Sequence, residues 1–462
     1  MKAALTCLIL LAWVPAMTGA PVEVPNDDAA IAHALNRLAF GVRPGDVERI
    51  KSKGLGRWID EQLRQEGVID DALQSRLAKL TTLTLDASTI ATDIYLPARR
   101  ERRQRRQQAS QMEPTDQPKS AQIASAARQD QRRVFAELAE AKLLRAIHSE
   151  RQLEEVLVDF WFNHFNVFAR KGQTEVYITE YERDAIRPRV FGTFRDLLGA
   201  TAKSPAMLVY LDNWQSAAPN TAIQARTPGR TRGINENYAR ELLELHTLGV
   251  DGGYSQEDVV NVARAFTGWT VGRPGETGFR FAPAMHDRGA KKVLGQTLPA
   301  NGGINDGERV LDIVAAHPAT AKHIAFKLAQ RFVSDDPPTT VVERAAHTFQ
   351  STSGNLREVI RTIVTSPEFF GKEHRLAKVK TPFEFVVSAM RATGAELRQP
   401  QRVVRALAEM GMPLYLCQPP TGYAETADAW VSSGALVNRI NFAVALAPTQ
   451  AQSIGSAEFQ KQ

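Results

Sequence analysis

Apolar residues in this chain recur at steps of three and four over most of its length, and that spacing restricts it to a fold of packed helices. Across 356–364, Leu356, Val359, Ile360, Ile363 and Val364 fall on one side of a helix. Across 319–332, Ala321, Ile324, Ala325, Leu328, Ala329 and Phe332 do the same, and 304–315 reads likewise. Asn355 is placed to cap the first of these, and Ser366-Pro367 ends it. Ser255 with Asp258 three residues on resembles a capping box opening a helix over 256–266. Strand signals are few. Gly278–Pro283 and Lys291–Gly295 are expected to form one small hairpin across the loop that holds His286-Asp287. No repeat of about 40 residues is visible, which argues against a solenoid. The expected fold class is mainly α, a large multi-helix domain with one small β-hairpin.

Residues 1–20 read as a signal peptide. Lys2 supplies the positive start, and Ala3 to Pro15 is an apolar run shorter than the ~20 residues of a membrane span. Thr18-Gly19-Ala20 offers the small residues of a cleavage site. The expectation is an exported protein, periplasmic or extracellular, with no transmembrane segment once this piece is removed. Removal also takes Cys7 and leaves Cys417 alone, which excludes an intrachain disulfide and a thiolate zinc site. The apolar neighbours Leu414, Tyr415 and Leu416 suggest that Cys417 is a buried, inert thiol.

A formal net charge of +6 hints at an acidic partner until it is located. Between Arg99 and Arg133 nine arginines and one lysine face four acids, so this segment carries the whole excess. It is poor in apolar residues and contains Pro114 and Pro118. Such a composition cannot offset its ordering entropy, so 98–129 is expected to be an Arg/Gln-rich disordered linker or a frayed, solvated helix. It divides an N-terminal helical section, 21–97, from a main helical domain, 130–462. No aromatic residue interleaves with the arginines, which argues against nucleic acid; an anionic polymer suits the segment better.

Familiar catalytic patterns are missing. There is no His-Glu-x-x-His, no Glu-x-x-His, no Gly-x-Ser-x-Gly and no phosphate-cradling glycine loop, and Gly54-Leu-Gly56 is a turn between helices. Three segments carry the remaining chemistry. In Asp159–Phe168, Asp159, Asn163 and Asn166 share helical spacing, and His164 stands among aromatics, either as a satisfied core histidine or as a metal or proton-transfer group. In Asn235–Gly249, Glu236, Arg240 and Glu244 form an i, i+4, i+8 ladder of ion pairs. Tyr238, Ala239, Leu242, Leu243 and Leu245 face inward there. Asn235, Asn237 and Glu241 fit a plain solvent face less well. In His286–Gly295, the adjacent His286 and Asp287 offer two metal ligands, or a base with its neighbour.

These segments resemble the bacterial exported family catalogued as domain of unknown function 1800. The likeness runs through His33–Gly41, Asp159–His164, Tyr210–Asn213, Asn235–Gly249, Asp258–Trp269, His286–Gly295 and Trp430–Phe442. Where family members tend to carry Gly-Trp after a proline-containing loop, this chain has Gly422-Tyr423. The resemblance implies a helical fold, export, and pairing with a co-encoded exported protein of the family 1501 type; it implies no reaction. Two functions of different class follow. In one, His164, Glu241 and His286 are catalytic and Asp212, Glu236 and Asp287 hold a divalent metal such as Mn, Fe or Zn, acting on an extracellular or envelope polymer. In the other, the same residues form a buried polar network in a non-enzymatic assembly or carrier protein.

Overall fold

Leu356, Val359, Ile360, Ile363 and Val364 are all buried along the Leu356–Val364 helix, so the stripe read from the sequence is its packing face. Each such side chain contributes roughly 1.5–3 kcal/mol relative to exposure. Asn355 caps the helix by accepting from the Glu358 amide. The helix packs on Pro318–Phe332 and Thr339–Ser351, which also pack on each other. Ile304–Ala316 extends the stack and leans on Phe194–Lys203. The computed structural model describes residues 24–64, 70–109, 120–219, 233–272, 278–447 and 450–462. The expected signal segment lies outside them. Among the described residues no helix is long and apolar enough to cross a membrane.

The protein is mainly α, with its largest apolar cluster drawing residues from Ala30 to Ile454. The N-terminal helices, from Asp28–Leu38 onward, join this cluster, as does the C-terminal half of the long Ser120–His148 helix. Of the segment expected to be a disordered linker, the parts described are helical: Leu96–Ala109 and the start of Ser120–His148. Residues 110–119 lie outside the described set. Arginine and glutamine are good helix formers, and Arg99, Arg100 and Arg103 stand exposed, so this helix is a solvated one.

Two antiparallel hairpins replace the single one expected. β1 (Trp269–Val271) pairs with β2 (Phe279–Phe281), and β3 (Lys291–Val293) with β4 (Gln296–Leu298). The Gly278–Pro283 segment therefore pairs backward with β1 and not forward across His286-Asp287. Gly268, at φ 80°, turns the chain out of the Gln256–Ala265 helix, and its carbonyl accepts from the Ala282 amide at 2.8 Å. Leu294 and Gly295 both take positive φ, as a two-residue hairpin turn requires. The Leu294 amide is held there by Asp258 Oδ1 at 2.7 Å. Asp258 also completes the Ser255 capping box. One acid thus fixes a helix start and a hairpin turn.

Distant parts of the chain are joined by buried arginines donating to carbonyl groups that helices and loops leave open. Arg37 reaches Val333 and His374, Arg391 reaches Gly41 and Ile147, and Arg439 reaches Lys380.

Candidate functional site

The Asn235–Gly249 signature is not one regular helix. Asn235 caps Glu236–Glu241 by accepting from the Asn237 amide, and the chain then widens into a π-helical turn over Leu242–Thr247. Thr247 closes that turn by donating to the Leu242 carbonyl at 2.6 Å. Asn235 and Asn237 both donate toward the Leu211 carbonyl, at 3.0 and 3.5 Å, so they stitch the helix to the Pro205–Tyr210 helix end. Of the expected ladder, Arg240 meets Glu236 at 3.6 Å and also Gln256, while Glu244 accepts from Tyr254. Glu241 is half-buried, and burial followed by the neighbouring Glu244 raises its carboxyl above the usual range.

His164 ends the Gln152–His164 helix and is buried against Phe160, Trp161 and Phe165. Its Nε2 lies 3.2 Å from the His246 carbonyl. Two further histidines surround it, His246 and His323, each with its ring centre 6.3 Å away. The π-helical turn brings His246 inward, and the Pro318–Phe332 helix supplies His323. Burial pushes His246 down to about 3, with His323 adding to the effect. Burial and then Lys327 push His323 down to about 4. His164 falls well below its ordinary value by burial, then through His246, His323 and Lys327. The trio is a neutral ring cluster, and His246 Nε2 has no hydrogen-bond partner among the described residues. The polar neighbours of His164 point elsewhere. Asn163 donates to the Tyr423 carbonyl and accepts from its amide, and Asn166 donates to Cys417 and Pro419, so both clamp the 417–423 loop. Cys417 is buried, and burial raises its thiol to about 11.

A different environment surrounds His286. Its Nδ1 is 2.8 Å from the Thr267 carbonyl and its Nε2 is 3.1 Å from Asp306 Oδ2. Both ring nitrogens are thus engaged, each facing an oxygen acceptor. Lys291, with a fully buried side chain, also donates to Asp306 Oδ2, at 2.7 Å, and to the Asp287 and Gly289 carbonyls. Asp287 receives a two-pronged contact from Arg264 at 3.0 and 3.1 Å and the Gly289 amide at 2.9 Å. Burial alone would raise the Asp287 carboxyl, but these donors hold it below its usual range. Above this cluster opens a cleft of about 460 Å³ lined by Ala218, Pro219, Arg264, Pro283, Ala284, His286, Asp287, Arg288 and Gly289. Of the charged lining residues, Arg264 and Arg288 outnumber Asp287, so the cleft wall is net cationic, while Lys291 and Asp306 pair beneath it. The Arg288 side chain makes no hydrogen bond or ion pair with any described residue.

Of the six residues expected to share a site, three carboxylates already have partners. Asp212, at φ 60°, pairs with Lys171 at 2.7 Å; Glu236 is taken by Arg240 and Gln256; Asp287 is taken by Arg264. Only His286 and Asp287 line the cleft together. Among the described residues no three His, Cys, Asp or Glu side chains stand close enough to share a metal ion. Sequence reasoning passed over His246, His323, Arg264, Arg288, Lys291 and Asp306. Asp306 looks like an ordinary acid in a helix first turn, and Lys291 gives itself away only through strand alternation that buries it beside exposed Lys292.

The family described as "Protein of unknown function (DUF1800)" matches residues 33–461. The chain belongs to it. That span includes the histidine trio, the cleft and both hairpins, and the family's description assigns no activity. No curated protein and no solved structure matches the chain. At Gly422-Tyr423, Gly422 packs against Asn163, and the Tyr423 hydroxyl donates to the Pro413 carbonyl at 2.7 Å.

Proposed function

We propose that this protein is an exported, non-enzymatic binding component that holds an anionic ligand in the Arg264–His286–Arg288 cleft. The observation that carries this reading is the Arg288 guanidinium, unpaired among the described residues, on a cationic wall whose other charged groups are already engaged. A general base or nucleophile needs a free acceptor facing the substrate. Asp287 has spent its acceptors on Arg264 and Gly289, and both His286 ring nitrogens are occupied by Thr267 and Asp306. The same engagement weighs against the metal-dependent enzyme, because Asp212, Glu236 and Asp287 would each have to leave a donor to ligate. Export is supported by the signal-like character of residues 1–20. An anionic polymer is a fitting ligand, since Arg99, Arg100 and Arg103 add exposed cations of the same sign. Pairing with a co-encoded exported protein of the family 1501 type belongs to this reading as the scaffold's partner.

Calorimetric titration with inorganic sulfate and with heparin tests the cleft. Arg288→Ala should weaken sulfate binding roughly tenfold or more, as expected for loss of one charge-assisted hydrogen bond. Unchanged sulfate affinity in that variant would remove the cleft from consideration. Stoichiometric metal in the purified protein, lost on replacing Asp287, would restore the enzyme reading.

A further inference from the structure

The Pro400–Glu409 and Ser433–Leu446 helices both rest on the buried Pro382–Thr393 helix and touch each other. Asn438 joins them by donating to the Glu409 carbonyl at 2.7 Å. Their outer sides face away from a common support and share one side of the molecule. On Ser433–Leu446, Arg439 and Ala443 point inward. Outward stand Leu436, Val437, Ile440 and Val444, 40–54% exposed, with Val431 just before them at 51%. Five of the eight large hydrophobic residues most exposed among those described lie in this row, so it is a patch and not scatter. No charged side chain interrupts it. Alongside, Arg398, Arg402 and Arg405 stand exposed and make no ion pair with any described residue; Glu409 is the one exposed acid on that helix.

We propose that this face docks on the surface of an anionic phospholipid membrane. The apolar row enters the headgroup–acyl boundary, as the uncharged side of an interfacial helix does. Arg398, Arg402 and Arg405 meet the lipid phosphates, as basic side chains near an anionic leaflet do. A second copy is a poorer occupant. Five half-exposed side chains fall short of the roughly 800 Å² each partner gives a stable interface, and a symmetric pair would bring the same arginines together.

Co-sedimentation of the full chain with phospholipid vesicles tests this. It should bind vesicles of phosphatidylcholine and phosphatidylglycerol in equal parts, release as salt rises, and ignore phosphatidylcholine alone. V437D/V444D should abolish binding, and R402E/R405E should weaken it by on the order of tenfold or more. Both variants should melt like the parent and bind sulfate at the cleft unchanged, which separates this proposal from the previous one. Equal binding to both vesicle types, no binding, or variants that bind like the parent would overturn it. So would a dimer in solution that I440D converts to monomer, because the face would then belong to a second copy.

Discussion

His164, His246 and His323 meet where, among the described residues, no carboxylate pairs with them, whereas His286 lies against Asp306 with Lys291 beside it. Both settings exclude water to a similar degree: His246 is 2% exposed and His286 5%. Counter-charge is what differs. Burial without it selects the neutral imidazole, which then packs as one more ring among Phe160, Trp161 and Phe165. Burial with it builds a fixed ionic cluster whose edge emerges in a cleft. Depth alone therefore does not mark a working histidine; its partners do.

The sharpest way to break this contrast is to remove the counter-charge. Asp306→Ala leaves the Lys291 ammonium deep in the protein without its main partner, and the expected cost is about 3–5 kcal/mol. Urea unfolding would register it, and a loss below about 1 kcal/mol would mean that the cluster is not ionic as described. Next in size is the acid response of the trio. A histidine whose folded form resists protonation binds fewer protons folded than unfolded. Its contribution is complete above pH 6.5 and drains as pH falls from 6.5 toward about 3, the folded value for His246. At pH 5 that one residue costs on the order of 2 kcal/mol. His246→Leu should flatten the fall in stability between pH 6.5 and 5, and a slope as steep as the parent's would show that the trio does not stay neutral. The smallest effect concerns the turn that separates the two settings. Gly268→Ala places a Cβ 2.7 Å from the Ala282 carbonyl at a positive φ, at a cost of about 1–2 kcal/mol from the backbone alone. A thermal melt unmoved by this change would contradict the β1–β2 geometry.

How much of this was readable in the sequence depends on range. The Leu356–Val364 stripe, the Asn355 cap and the Ser255–Asp258 box were legible because each is decided within a few residues. The His286-Asp287 segment was legible as chemistry, but its strand partner was not. Gly278–Pro283 has apolar alternation that suits either neighbour, and the choice falls to the Gly268 turn upstream. The trio was hidden for a related reason. His246 and His323 each sit in a helical pattern that reads as amphipathic packing, and only the wider π-helical turn over Leu242–Thr247 swings His246 toward His164. Glu236, Glu241 and Asp212 looked like ligands by type, yet each neighbour that occupies or repels them comes from another turn or another helix.

The long-range clasps have a consequence for the order in which the molecule can be completed. His33 waits for the Phe369 carbonyl, Arg37 for Val333 and His374, Asn163 for Tyr423, and Gly41 for Arg391. The first helix is made early, but its final partners emerge from the ribosome some three hundred residues later. Asp46–Lys53 and Gln152–His164 already pack on this helix, but its clasps stay open until then, and closure over such separations is slow. A nascent or truncated chain lacking the last quarter would leave His33, Gly41 and Asn163 without these partners, and the N-terminal helices loosely held for whatever holdase or protease reaches them first.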